Sequence, residues 1–189
     1  RSFLYMPNGA IQPPVVFFLQ GYTCQSIEMR DNNPAKQLIN QWIEKGYAVY
    51  LVEKPGMGDS ESDIPCMDID FNQELLAFTK AYEALRQNPK IDKQNIFLFG
   101  HSMGGIIAPL LAQETSPAGI MVFGIVGENW YDYMNRIYTE QPLIFGTSQE
   151  QINQDAQYYL PFVKDLLVHK KSNLELIDSP AYGERLKQD

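Results

Sequence analysis

The chain has 189 residues, 44% hydrophobic and 20% charged, an ordinary globular composition that most simply forms one domain. At that length folding buries roughly 70% of the unfolded surface, so the core needs neither a disulfide nor a metal to support it. The formal net charge of −8, with Lys170-Lys171 the only tight basic pair in the second half, argues against a nucleic-acid partner. No apolar run approaches the roughly 20 residues that span a bilayer.

The chain opens on Arg1-Ser2-Phe3-Leu4-Tyr5 without an initiator methionine or a signal peptide, as expected of a processed chain or a segment of a longer one. Strand-like apolar runs then alternate with helix-like patterns, the signature of a parallel α/β sheet. Phe3 to Met6 reads as a first strand, closed by the turn-rich Pro7-Asn8-Gly9 and Pro13-Pro14. Val15 to Leu19 is continuously apolar, as in a strand covered on both faces. Asn33 as N-cap and Pro34 at the first position open a helix whose Leu38, Ile39, Trp42 and Ile43 share one face, and Gly46 ends it. Ala48 to Val52 is the next strand. Asp70 caps a second helix carrying Leu75, Phe78, Tyr82 and Leu85 at helical spacing, stopped before Pro89. The strand Ile96 to Phe99, a helix from Gly105 through Glu114 and a strand from Ile120 to Ile125 complete the alternation.

From Gly127 the character changes. Trp130, Tyr131, Tyr133, Met134, Ile137 and Tyr138 crowd together, and Ser148 with Gln151 has the pattern of a capping box. Behind it Ile152, Ala156, Tyr159, Val163 and Leu167 keep helical spacing, with Pro161 expected to kink or break the helix. The reading is therefore an α/β core over 1–126 and a helical cap over 127–189, laid on the sheet.

The strand Ile96 to Phe99 runs into Gly100-His101-Ser102-Met103-Gly104, which fits the G-x-S-x-G nucleophile elbow. There a strand turns sharply into a helix and holds a serine hydroxyl up at the bend. A side chain at Gly100 or Gly104 would collide with the neighbouring strand or the oncoming helix. Gly105 eases the approach of that helix. On this reading Ser102 is a catalytic nucleophile; a tight turn with an exposed serine is the plainer alternative.

With these residues the chain resembles the α/β-hydrolase family over nearly all of 1–126. The resemblance implies a mostly parallel sheet with helices on both faces, incomplete at its C-terminal end, plus the helical cap. Leu19-Gln20-Gly21-Tyr22 stands where the family has its oxyanion loop, so the backbone N–H groups of Tyr22 and Met103 would form the oxyanion hole. In isolation Gly21 reads equally as an ordinary strand-end turn. Glu53-Lys54-Pro55-Gly56-Met57-Gly58-Asp59-Ser60 resembles the family's glycine-rich loop, although Glu53 and Pro55 replace the more usual aspartate and arginine. Among its branches the chain is most similar to bacterial serine hydrolases related to serine aminopeptidases and acyl-peptide hydrolases.

Cys24 and Cys66 are the only cysteines. Neither has a partner at metal-ligand spacing, so the residues alone leave free buried thiols and a disulfide both open. The fold implied by the resemblance places their loops on neighbouring strands. A disulfide there is sterically reasonable and would imply a periplasmic or secreted protein; free thiols would fit the cytoplasm.

A serine nucleophile needs a base and a carboxylate to orient it, which in this family follow in the order Ser, Asp or Glu, His. Only His101 and His169 exist. His101 lies inside the elbow, where its ring is expected to pack away from the hydroxyl, and His169 reads as a surface histidine near a helix C-terminus. Ser102, Glu128 and His169 have the right order, but the preferred expectation leaves the acid and the histidine unidentified, on strands beyond Asp189 or absent.

Asp59, Glu61, Asp63 and Asp70 are spaced like a calcium loop, but Ile64 stands where its sharp turn needs glycine. Phosphate-binding and dinucleotide-binding glycine motifs are missing, and no metal or cofactor is expected. The function expected is hydrolysis of carboxylic esters or related acyl compounds, through an acyl-enzyme on Ser102, with a small-molecule or a short acyl or peptide substrate. Peptidase activity and a non-catalytic ligand-binding module are the alternatives; the sequence sets no oligomeric state.

Overall fold

The computed structural model describes residues 1–28 and 35–187. The chain divides into two compact units, Arg1–Ile125 and Val126–Asp189.

The first unit is built on β1 (Ser2–Tyr5), β2 (Val15–Leu19), β3 (Ala48–Val52), β4 (Ile96–His101) and β5 (Gly119–Phe123). They form one sheet in the order β1-β3-β2-β4-β5. β1 is antiparallel to β3 and the other pairings are parallel, with Phe18 opposite Leu51 on one side and Phe99 on the other. β2 lies at the centre, which explains its unbroken apolar sequence: all five of its residues are buried.

Alternation along the strands separates two cores. Val15, Phe17, Leu19, Tyr50, Ile96 and Leu98 face α2 (Phe71–Gln87) and α3 (Met103–Thr115), which contribute Phe78, Tyr82, Leu85, Ile107 and Leu111. Phe18, Val49 and Leu51 face α1 (Lys36–Glu44), which contributes Ile39, Trp42 and Ile43. Helices therefore cover both faces. The N-cap and first position expected at Asn33 and Pro34 lie outside the described residues; within them Ala35 precedes the helix. Asp70 caps α2 as expected, accepting from the Gln73 N–H while the Gln73 side chain accepts from Asp70 N–H.

β5 differs from the other parallel strands. It ends the sheet, and its Ile120, Met121, Val122 and Phe123 are all exposed.

The second unit is helical, with α4 (Trp130–Thr139), α5 (Gln141–Ile144), α6 (Gln149–Leu167), α7 (Asn173–Ile177) and α8 (Gly183–Leu186). Tyr138 on α4 stacks on Tyr159 of α6 at 4.2 Å between ring centroids. The break expected at Pro161 does not occur, because α6 runs through it to Leu167. Proline forfeits one amide bond there, while the turns on either side remain bonded and Val163 is buried. Asp165 near its end accepts hydrogen bonds from Lys171 (2.8 Å) and the Tyr182 hydroxyl (2.7 Å), and bonds His169 Nδ1 at 2.7 Å. Those contacts, Lys171 first, hold its carboxyl well below the usual carboxylate range.

Candidate active site

β4 runs directly into α3 and leaves Ser102 alone at the bend, with φ 54° and ψ −122°. A non-glycine residue in that sparsely populated region costs of order 1–3 kcal/mol, and persists only where its surroundings hold it. Here the Ser102 N–H donates to the Phe123 carbonyl at 2.9 Å, and its own carbonyl accepts from the Gly105 N–H at 2.9 Å. The flanking glycines make this packing possible. A Cβ on Gly100 would lie 2.6 Å from Gly105 Cα, and one on Gly104 would lie 2.6 Å from the Leu19 carbonyl carbon and 2.7 Å from the Gln20 oxygen. A Cβ on Gly105 would overlap the Ile125 side chain.

The loop after β2 passes beside the serine. A Cβ on Gly21 would sit 3.1 Å from Ser102 Cβ and 3.5 Å from its Oγ. Among the described residues the backbone N–H groups of Tyr22 and Met103 donate to no protein acceptor. The sequence thus brings a half-buried serine at a strand-to-helix bend and two unspent donors to one place.

Beneath that loop lie the buried side chains of Glu53 and Lys54, which open the glycine-rich segment, and of Glu74, which the sequence does not single out. Glu53 accepts from the Ser26 hydroxyl at 2.5 Å and from the Ile27 N–H at 3.1 Å. The Lys54 ammonium donates to the Gly21 carbonyl at 2.7 Å and pairs with the Glu74 carboxylate at 2.9 Å. Lys54 and Glu74 are 3% and 7% exposed, a burial seen for such residues only when they are paired. One signal was present in the sequence: Glu74 lies four residues before Phe78 and eight before Tyr82, on the apolar face of α2. Cys24 and Cys66 form a disulfide, with Cα atoms 5.9 Å apart, and tie the loop after β2 to the segment after β3. A cavity of about 130 Å³ is lined by Tyr22, Met103, Lys54, Glu74 and both cysteines.

His101 is exposed, its ring stacked on Phe123 at 5.8 Å. His169 follows the end of α6 and is paired with Asp165, and Glu128 is paired with Arg136 at 2.6 Å. Both pairings are internal to the second unit.

A family model described as Hydrolase_4, serine aminopeptidase S33, matches residues 30–137. A curated relative, the "Uncharacterized peptidase YtmA" of Bacillus subtilis, is 26% identical over 163 residues, 79% of this chain and 62% of that protein. The chain therefore spans less than two thirds of that relative's length. Among solved structures, Est1E from Butyrivibrio proteoclasticus with ferulic acid bound aligns at TM-score 0.53 and 20% identity, over 64% of this chain and 46% of that one. A thermostable carboxyl esterase from Bacillus coagulans aligns at TM-score 0.54 and 17% identity, over 91% and 53%. At these identities the likeness shows a shared fold.

Proposed function

This chain belongs to the serine aminopeptidase family of α/β-hydrolases, and from that premise we propose that Ser102 is the nucleophile of a serine hydrolase acting on acyl compounds. The observation that carries the proposal is Ser102 itself, held at φ 54° on a strand-to-helix bend beside the unspent amides of Tyr22 and Met103. Attack of the Ser102 hydroxyl oxygen on a carbonyl carbon forms a tetrahedral adduct, and its proton passes to a base. The two N–H groups then stabilise the negative oxygen. Collapse expels the alcohol or amine, which takes that proton from the base, and water, deprotonated by the same base, releases the acid from the acyl-enzyme and restores the Ser102 hydroxyl.

Esters of carboxylic acids are the substrates proposed first. Short peptides are the second reading, favoured by the name of the Bacillus subtilis relative. The base is left unidentified, because the one histidine of the sheet unit, His101, stacks on Phe123. That same observation favours the third reading, a ligand-binding module without turnover. The Cys24–Cys66 disulfide supports a periplasmic or secreted location, because cytosolic thiol systems keep such pairs reduced.

A fluorophosphonate probe tests the nucleophile. Labelling of the chain should map to Ser102 and vanish in Ser102→Ala. No labelling of the folded chain, or labelling that persists in Ser102→Ala, would refute it.

A further inference from the structure

We propose that Lys54, held by Glu74, is a positioning residue for the oxyanion hole, fixing the Gly21–Tyr22 peptide so that the Tyr22 N–H faces the developing negative oxygen. The inference rests on the Ser102 reading above.

The Gly21 carbonyl and the Tyr22 N–H belong to one planar trans peptide, so they point in opposite directions. Anchoring the oxygen therefore fixes the direction of the donor. Lys54 anchors it with a charge-assisted hydrogen bond of 2.7 Å. The same bond draws electron density from the peptide and strengthens its N–H as a donor.

The need for an outside anchor follows from Gly21. Glycine suits this position beside Ser102, since a Cβ here would lie 3.1 Å from Ser102 Cβ and force a shift of a few tenths of an ångström. A glycine has no side chain with which to restrain its own peptide, and its backbone is the most permissive of any residue. Stability gives no comparable reason for Lys54 and Glu74 to be buried. A buried ion pair is often matched or exceeded by apolar residues of similar volume. The segment after β3 also serves the rest of this loop, since Glu53 holds Ser26 and Ile27 and Cys66 holds Cys24. Lys54 is its contact with the peptide nearest the serine.

The test uses the full chain and the double variant Lys54→Met/Glu74→Gln, which removes both charges and leaves no unpaired buried ion. Labelling by a fluorophosphonate is followed over a range of probe concentrations. Complete loss of one oxyanion donor costs about 10²–10³ in rate, so a donor released from its anchor but still present should cost about tenfold. The maximal labelling rate should fall by that factor while the half-saturating probe concentration stays unchanged. A spectroscopic readout runs beside it. With carbonyl-13C glycine and 15N tyrosine, only Gly21–Tyr22 and Gly46–Tyr47 give a one-bond 13C–15N correlation across the peptide bond. The first cross-peak should move in the variant and the second, before β3, should stay.

A folded double variant that labels at the parent's rate overturns the proposal, as does an unmoved Gly21–Tyr22 peak. If the double variant does not fold, Glu74→Gln alone decides by the same two readouts, with the same losses expected in smaller degree. A parent chain that never labels refutes the nucleophile reading. That failure is recognised without any substitution and removes this inference with it.

Discussion

Adding one methyl group at Gly104 should damage this site more than its size suggests. In Gly104→Ala the new Cβ would lie 2.6 Å from the Leu19 carbonyl carbon and 2.7 Å from the Gln20 oxygen, with the Leu19 oxygen closer still. Ordinary contact at about 3.4 Å requires about 0.8 Å of relative movement at the carbon alone. The obstructing atoms are backbone and have no rotamer to adopt. Overpacking of this kind costs about 1–3 kcal/mol, and rigid neighbours on both sides place it near the top of that range. For a chain of this length that is a fall of about 6–12 °C in the thermal midpoint.

The movement also carries Gln20 and hence Gly21, the residue beside Ser102. A misplacement of about 1 Å in a reacting constellation costs about 10²-fold in rate. Calorimetry and the rate of fluorophosphonate labelling measure the two effects separately. Gly9→Ala is the control, because Gly9 has φ 70° and nothing within 4 Å of its added Cβ. It should lose about 1 kcal/mol to backbone strain and leave labelling unchanged. Labelling of Gly104→Ala at the parent's rate would refute the argument that α3 and the β2 loop are packed to contact.

Cys24→Ser/Cys66→Ser opens a loop of 42 residues, and chain entropy predicts a loss of about 4 kcal/mol at 25 °C. Urea denaturation measures it, and a variant as stable as the oxidised parent would refute the tether. The Asp165 carboxyl is depressed below its ordinary 3.8, so its contribution is present above that pH and lost as pH falls through the lower folded value. Lys171 is raised above 10.5, so its share is present below that pH and lost as pH rises through the higher folded value. Amide protection factors across α7, which correct for the intrinsic pH dependence of exchange, should therefore fall below about pH 4 in the parent, and Asp165→Asn should be less protected already at pH 7. Equal protection in the two proteins at pH 7 would refute the role of this hub.

Much of the framework was legible in the sequence because local pattern and tertiary demand agree. β2 reads as a continuous apolar run because it is buried on both faces at the sheet centre, and Asp70 caps its helix through atoms three residues away. The elbow was legible for the same reason: glycines at 100, 104 and 105 mark where a strand and a helix come into contact. Of the kink or break expected at Pro161, the break does not occur, since a single lost amide bond does not end a helix whose neighbouring turns are bonded and packed.

By itself the sequence determined the order of strands and helices, the caps at Asp70 and Ser148, the elbow and the place of Ser102 in it, all of which depend on residues close together in the chain. Only the tertiary structure decided that Cys24 meets Cys66, that Glu53 holds Ser26, and that Lys54 joins Glu74 beneath the Gly21 carbonyl. Those partners stand 20 to 42 residues apart, so no local periodicity encodes them. They meet because parallel pairing of β2 with β3 sets the loops after both strands along one edge of the sheet, with the start of α2 beside them.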